Sequence, residues 1–224
     1  MEGSLGAVLL SEALRKLMPQ VLKDDVRERI LVSALQTFAA RGFPGATITA
    51  IAENAGLGAA TLYRYYPGKA ELFDAVVTPE LAQEFEQLLE RRVRALAKVV
   101  LGGVAGPTGD QGEALLQFWI AHRLEVVVLL DRAEGTAYVH FGERFVEQLV
   151  SSVLEHVRAA QPGIRVSAAR RFVLKRIFEN TRRTLAAILE ENEDERALRA
   201  AIEAFWSYQI PGLRGFVEAT LRAR

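Results

Sequence analysis

The segment from Thr47 to Lys69 admits few conformations, because a glycine separates two short apolar-periodic runs and a proline closes the second. Thr47 offers a hydroxyl to the unpaired amides of a first helical turn, and Ile48, Ile51, Ala52 and Ala55 follow at helical spacing, which predicts a helix with Thr47 as its N-cap. Gly56 falls where that helix must stop and reverse, a position that favours positive φ and therefore glycine. Leu57 plugs the corner. A second helix is predicted from about Gly58 or Ala59 to Tyr66, where Pro67 and Gly68 end it, with Leu62 facing back onto Ile51 and Ala52. Ala59, Ala60, Thr61, Tyr63, Arg64 and Tyr65 are left on its other side.

Those residue types suit a nucleic-acid groove. Small side chains at a helix N-terminus let the backbone approach, and hydroxyls and a guanidinium reach phosphates or base edges. The positive end of the helix dipole also points at phosphate. Any single tyrosine of Tyr63, Tyr65 and Tyr66 is as well accounted for by packing between small helices. The whole constellation is the pattern of a helix-turn-helix DNA reader.

With these residues in view, the chain resembles the TetR family of transcriptional regulators. The matching positions are Gly42 and Phe43, the run Thr47 to Ala52, Ala55 to Gly58, Thr61 to Lys69, and Glu71, Leu72 and Phe73, over about residues 24 to 77. The remainder resembles the family in length and helical character alone. The resemblance implies that Thr47, Tyr63, Tyr65 and Lys69 touch backbone phosphates, and that Thr49, Ala60, Thr61 and Arg64 lie nearest the base edges. Family members often carry serine where this chain has Gly58, a departure that removes a side-chain cap at a cost of about 1 kcal/mol or less. Ala59 and Ala60 offer only apolar contacts, such as to a thymine methyl, so hydrogen-bonded readout would rest on Arg64, Thr61 and Thr49.

Upstream, Val26, Ile30, Ala34, Leu35, Phe38 and Ala39 recur at helical steps and stop at Arg41-Gly42, predicting a supporting helix that seats Phe43 beneath the loop. Lys23, Arg27 and Arg29 on it are peripheral candidates for phosphate. Residues 23–70 hold six cations and four anions, and the whole chain of 224 residues has 28 of each sign. Bulk electrostatics therefore cannot supply the affinity, and specific geometry must contribute. Half the residues are hydrophobic, enough for a real core. No cysteine is present, which fits a reducing interior, and cytoplasm is the expected location. Residues 1–22 are apolar but interrupted by Glu12, Arg15 and Lys16, so an extra amphipathic helix is expected there rather than a signal peptide or membrane span.

The rest of the chain reads as helix after helix, making the protein all-α. Helices are predicted over 71–77, 81–101, 113–132, 136–160, 167–191 and 193–210, with Pro211-Gly212 breaking the last before a terminal turn. The segment 102–112, crowded with glycine, is predicted as a loop. The helix ending near Leu101 is long enough to carry a displacement between domains. This divides the chain into an extension (1–22), a three-helix reader (23–70) and a larger effector-binding and dimerisation region (71–224). The resemblance implies that the last two helices form a homodimer interface. Phe172, Ile177, Phe178, Leu185, Ile188, Leu189, Leu198, Ile202, Phe205, Trp206 and Tyr208 give that interface modest independent support, since they also suit an internal core.

A small-molecule effector pocket is a further implication. Its candidates are the polar or aromatic residues inside apolar stripes, Trp119, His122, Arg123, Tyr138, His140, Arg176 and Asn180, although Arg176 and Arg183 serve equally well in salt bridges with Glu179, Glu190 or Glu191. An enzyme is disfavoured: three histidines form no HExxH, and there is no phosphate-cradling glycine loop and no Gly-x-Ser-x-Gly turn. No cofactor or metal is expected. The expectation is thus a ligand-responsive repressor that binds a palindromic operator in double-stranded DNA as a homodimer. The competing readings are an activator, or a helical protein that uses the same reader domain to bind protein.

Overall fold

Each apolar stripe becomes a helix, and the departures from expectation have local causes. The computed structural model describes the backbone over 3–102 and 110–222 and the side chains of 23–95 and 112–222. Helices α1 (Gly3–Gly45), α2 (Ile48–Asn54), α3 (Ala59–Tyr63), α4 (Lys69–Val76) and α5 (Pro79–Gly102) run in order from the N-terminus. They are followed by α6 (Asp110–Ala121), α7 (Arg123–Val127), a π-helical turn (Val128–Arg132), α8 (Phe141–Ala160), α9 (Ala168–Glu191) and α10 (Glu195–Arg222). No strand occurs among the described residues, in keeping with the all-α expectation.

The expected extra N-terminal helix is continuous with the supporting helix, not separate from it: α1 is helical from Gly3 onward. What its side chains rest on, and most of the expected loop at 102–112, lie outside the described residues. Gly42 takes φ 67 and ψ 167, so regular helix ends at Arg41 as the glycine stop predicted.

The single helix expected over 113–132 is divided. His122 leaves helical geometry (φ −120, ψ 39), and the chain then widens into the π-helical turn. Val126, Val127, Val128, Leu129 and Leu130 are all 2% exposed or less, and five consecutive buried residues cover every side of a helix. The segment is central, as its all-round apolar character required, and is enclosed by α1, α8 and α9. The next helix starts at Phe141, five residues later than expected, because Thr136 and Tyr138 are taken up in turns. Gly142 then lets α8 press on the π-helical turn: a Cβ there would fall on the Leu130 carbonyl oxygen, closer than real Cβ atoms come.

Pro211 does not break α10, which continues to Arg222. The carbonyl that loses its partner belongs to Ser207, and both residues are exposed, so the lost bond falls on the solvent side of the helix. Gln209 donates to Thr181 Oγ1 at 2.9 Å and ties α10 to α9 in the interior.

One hydrophobic core runs from Ile30 on α1 to Ile202 on α10. Phe38, Phe43, Phe73 and Tyr138 form one aromatic chain within it, and Phe85 gathers Phe118, Trp119, Phe141 and Phe145 into another.

Candidate nucleic-acid interface

Thr47 caps α2 as expected: its backbone is extended and its Oγ1 accepts from the Ala50 amide at 3.1 Å. At the other end, Gly56 adopts φ 67, and the Leu57 amide returns to the Ala52 carbonyl at 2.8 Å, closing the turn. The Arg29 guanidinium donates to the Ala55 carbonyl, so α1 neutralises the negative end of α2. Asn54 Nδ2 donates to Thr37 Oγ1 at 3.2 Å, a second tie to α1. Ile51, Ala52, Ala55 and Leu62 are buried, which fixes the angle between α2 and α3 from within.

Helix α3 is shorter than expected and ends at Tyr63 rather than Tyr66. The Arg64 and Tyr65 amides reach back only three residues, to the Thr61 and Leu62 carbonyls, so the last turn tightens before Pro67. Gly58 caps α3 without a side chain, and the space where a Cβ would sit is open.

Thr47, Thr49, Ala60, Tyr63 and Arg64 are exposed, with Thr61, Tyr65 and Lys69 partly so. Arg64 Nη2 lies 3.4 Å from Thr61 Oγ1, so the two candidate base readers support each other. Tyr66 is different: it is buried and its hydroxyl accepts from Arg27 Nε at 3.2 Å, making it a brace between α1 and the end of α3. Lys69 has an internal duty that sequence did not reveal. Its ammonium donates to the Phe43 carbonyl at 2.7 Å and the Ala46 carbonyl at 3.0 Å, and lies 4.4 Å from the centre of the Phe43 ring.

This geometry can be set beside known proteins. A model of the bacterial regulatory proteins of the tetR family matches residues 30–76. The uncharacterized HTH-type transcriptional regulator TtgW of Pseudomonas putida is 31% identical over 103 residues, covering 41% of this chain and 72% of the relative. The chain belongs to the TetR family. A second TetR-type relative, the uncharacterized HTH-type transcriptional regulator YhgD of Bacillus subtilis, is 25% identical over 149 residues, 64% of this chain and 72% of its own. Among solved structures, a tetR-family transcriptional regulator from Streptomyces coelicolor aligns over 88% of this chain and 90% of its own, at 20% identity and a TM-score of 0.33.

Outside the reader, this TetR-family protein places the effector candidates in different surroundings. Trp119 is buried in the Phe85 cluster. Tyr138 packs on Phe73, and burial, aided by Asp74 and Glu80, pushes its phenol pKa up. His122 stacks near Phe118 and pairs with Glu125, while His140 is exposed beside Glu143. Arg123 caps α9 by donating to the Leu189 and Glu190 carbonyls at 2.8 and 3.2 Å. Arg176 pairs on the surface with Glu179 at 2.6 Å, and Asn180 is exposed.

None of these candidates lines the apolar cavity of about 70 Å³ that the structure does contain. Its described walls are Val93 of α5, Leu149, Ser152, Val153 and His156 of α8, Phe178 of α9, and Trp206, Ile210, Leu213 and Val217 of α10. His156 Nε2 is buried with no hydrogen-bond partner among the described residues, and burial lowers the pKa of its imidazole. The sequence signal was there: Ser152 and His156 sit one turn apart beside the Leu149, Val153 and Val157 stripe.

Proposed function

We propose that this TetR-family transcriptional regulator is a cytoplasmic, ligand-responsive repressor that binds a palindromic operator as a homodimer. The observation that carries the reading is the two-sidedness of α2 and α3. One side, with Ile51, Ala52 and Leu62, is locked into the core, and the other presents Thr47, Thr49, Ala60, Tyr63 and Arg64 together. In this reading Thr47, Tyr63 and Tyr65 hold phosphates, as does the one ammonium proton of Lys69 not used on Phe43 and Ala46. Thr49, Ala60, Thr61 and Arg64 face the base edges.

The dimer is supported by the outer surface of α9 and α10. Phe172 and Tyr208 are 63% and 79% exposed, and Ala200, Ala204, Gly215 and Ala219 form an exposed small-residue row that permits close helix approach. Much of the expected interface set, Phe178, Leu185, Leu189, Leu198 and Ile202, is instead internal core, because the stripe of α9 faces α7 and α8 and α10 packs on α9, α8, α5 and α6. Ligand response is supported by the cavity, one wall of which is α5, the helix that follows directly on α4 and the reader.

The test is selection from a library of random duplexes followed by sequencing. An inverted repeat is the expected product, and the absence of any enrichment at low salt refutes the reading. On the selected site, Arg64→Ala should weaken binding by about 1 to 3 kcal/mol while leaving non-specific binding almost unchanged.

A further inference from the structure

We infer that the cavity between α5, α8, α9 and α10 binds an uncharged, largely apolar ring compound carrying one hydroxyl group, with that hydroxyl hydrogen-bonded to His156 Nε2. The inference rests on the ligand-responsive reading only for its regulatory consequence, since the binding site stands on its own geometry.

Among the described residues the lining contains no lysine, arginine, aspartate or glutamate, so a charged occupant would lose its hydration without a counter-charge from them. Besides the Trp206 indole N–H, its polar side-chain groups among the described residues are those of Ser152 and His156, one helical turn apart on α8. A buried nitrogen without a partner is costly, and an occupant that completes its hydrogen bond recovers that cost. A hydroxyl both donates and accepts, so it satisfies the imidazole in either tautomer and still has capacity for Ser152. Burial lowers the imidazole pKa, which weakens the attraction a carboxylate would otherwise find there. Phe178 and Trp206 supply aromatic walls; about 70 Å³ is several times the space one water requires, and the walls must give way for a ring, since a dry cavity that takes benzene measures about 150 Å³.

Trp119 and Trp206 are the two tryptophans of the chain, so Trp119→Phe leaves the cavity tryptophan as the sole reporter. That protein is titrated with 4-ethylphenol, ethylbenzene and 4-ethylbenzoate while Trp206 emission is followed. The expected result is saturable binding of 4-ethylphenol, about tenfold or more tighter than ethylbenzene, and no saturation by 4-ethylbenzoate. His156→Leu should bring 4-ethylphenol down to the level of ethylbenzene. Equal affinity for the phenol and the hydrocarbon, tighter binding of the carboxylate, or no saturable signal overturns the inference, and these comparisons need no variant at position 156. Repeating the titration with labelled operator separates the two readings. Cavity binding without any change in DNA affinity refutes ligand response and leaves the site standing, whereas intact DNA binding with an empty titration refutes the site alone.

Discussion

Replacing Lys69 with methionine keeps the length of the side chain over Phe43 and removes the ammonium. Two carbonyls then lose their donor: that of Ala46, a buried residue, and that of Phe43, which is half-buried. Hydrogen bonds from a charged group contribute about 1.5 to 3 kcal/mol each when well shielded. Lys69 is partly exposed, so about 1 kcal/mol apiece is the better figure after solvent screening. The cation over the Phe43 ring adds about 0.5 kcal/mol at such a site. A total of about 2 to 3 kcal/mol corresponds to a fall in melting temperature of roughly 4 to 12 °C for a chain of this size. Circular dichroism at the helical band measures it. The same protein is then tested against operator DNA over a salt series, where loss of one phosphate contact should reduce the slope of log affinity against log salt by about 1. An unchanged melting temperature refutes the clamp, and a lowered melting temperature with an unchanged slope would show that Lys69 supports the reader without touching DNA.

Gly142→Ala should destabilise by about 1 to 3 kcal/mol, because its Cβ meets the Leu130 carbonyl and α8 must move away from the buried turn; urea unfolding checks it. Gly58→Ser should have the opposite sign, gaining a few tenths of a kcal/mol in a thermal melt, since the site is open and its backbone already has N-cap geometry. Thr47→Ala should cost about 1 kcal/mol in the same melt, by removing the hydroxyl that accepts from the Ala50 amide.

The features legible in sequence are those whose cause is local. Thr47 caps a helix because a hydroxyl precedes an apolar run, Gly56 turns because no other residue adopts its φ so cheaply, and Leu62 is buried by period alone. The break at His122 left no such trace, because neither glycine nor proline marks it. Lys69 and Arg123 show a second limit. Both stand out in sequence as charged residues, and both spend their charge on backbone carbonyls distant in sequence, partners that every residue carries and no pattern reveals. His156 is legible only in part: its place beside an apolar stripe is written in the sequence, whereas the partner it lacks is not.

The unbroken core between the first helices and the last bears on how such a protein can be re-engineered. The region most recognisable by sequence, about residues 24 to 77, is not a cartridge. Its Phe73 rests on Tyr138, and its Ala39 carbonyl accepts from Arg132, whose guanidinium also holds Glu190 on α9. A reader transplanted from a relative would therefore need matching residues at 132 and 138 as well as its own helices. Exchanging operators between family members is for this chain a problem of fitting a seam far outside the segment that touches DNA.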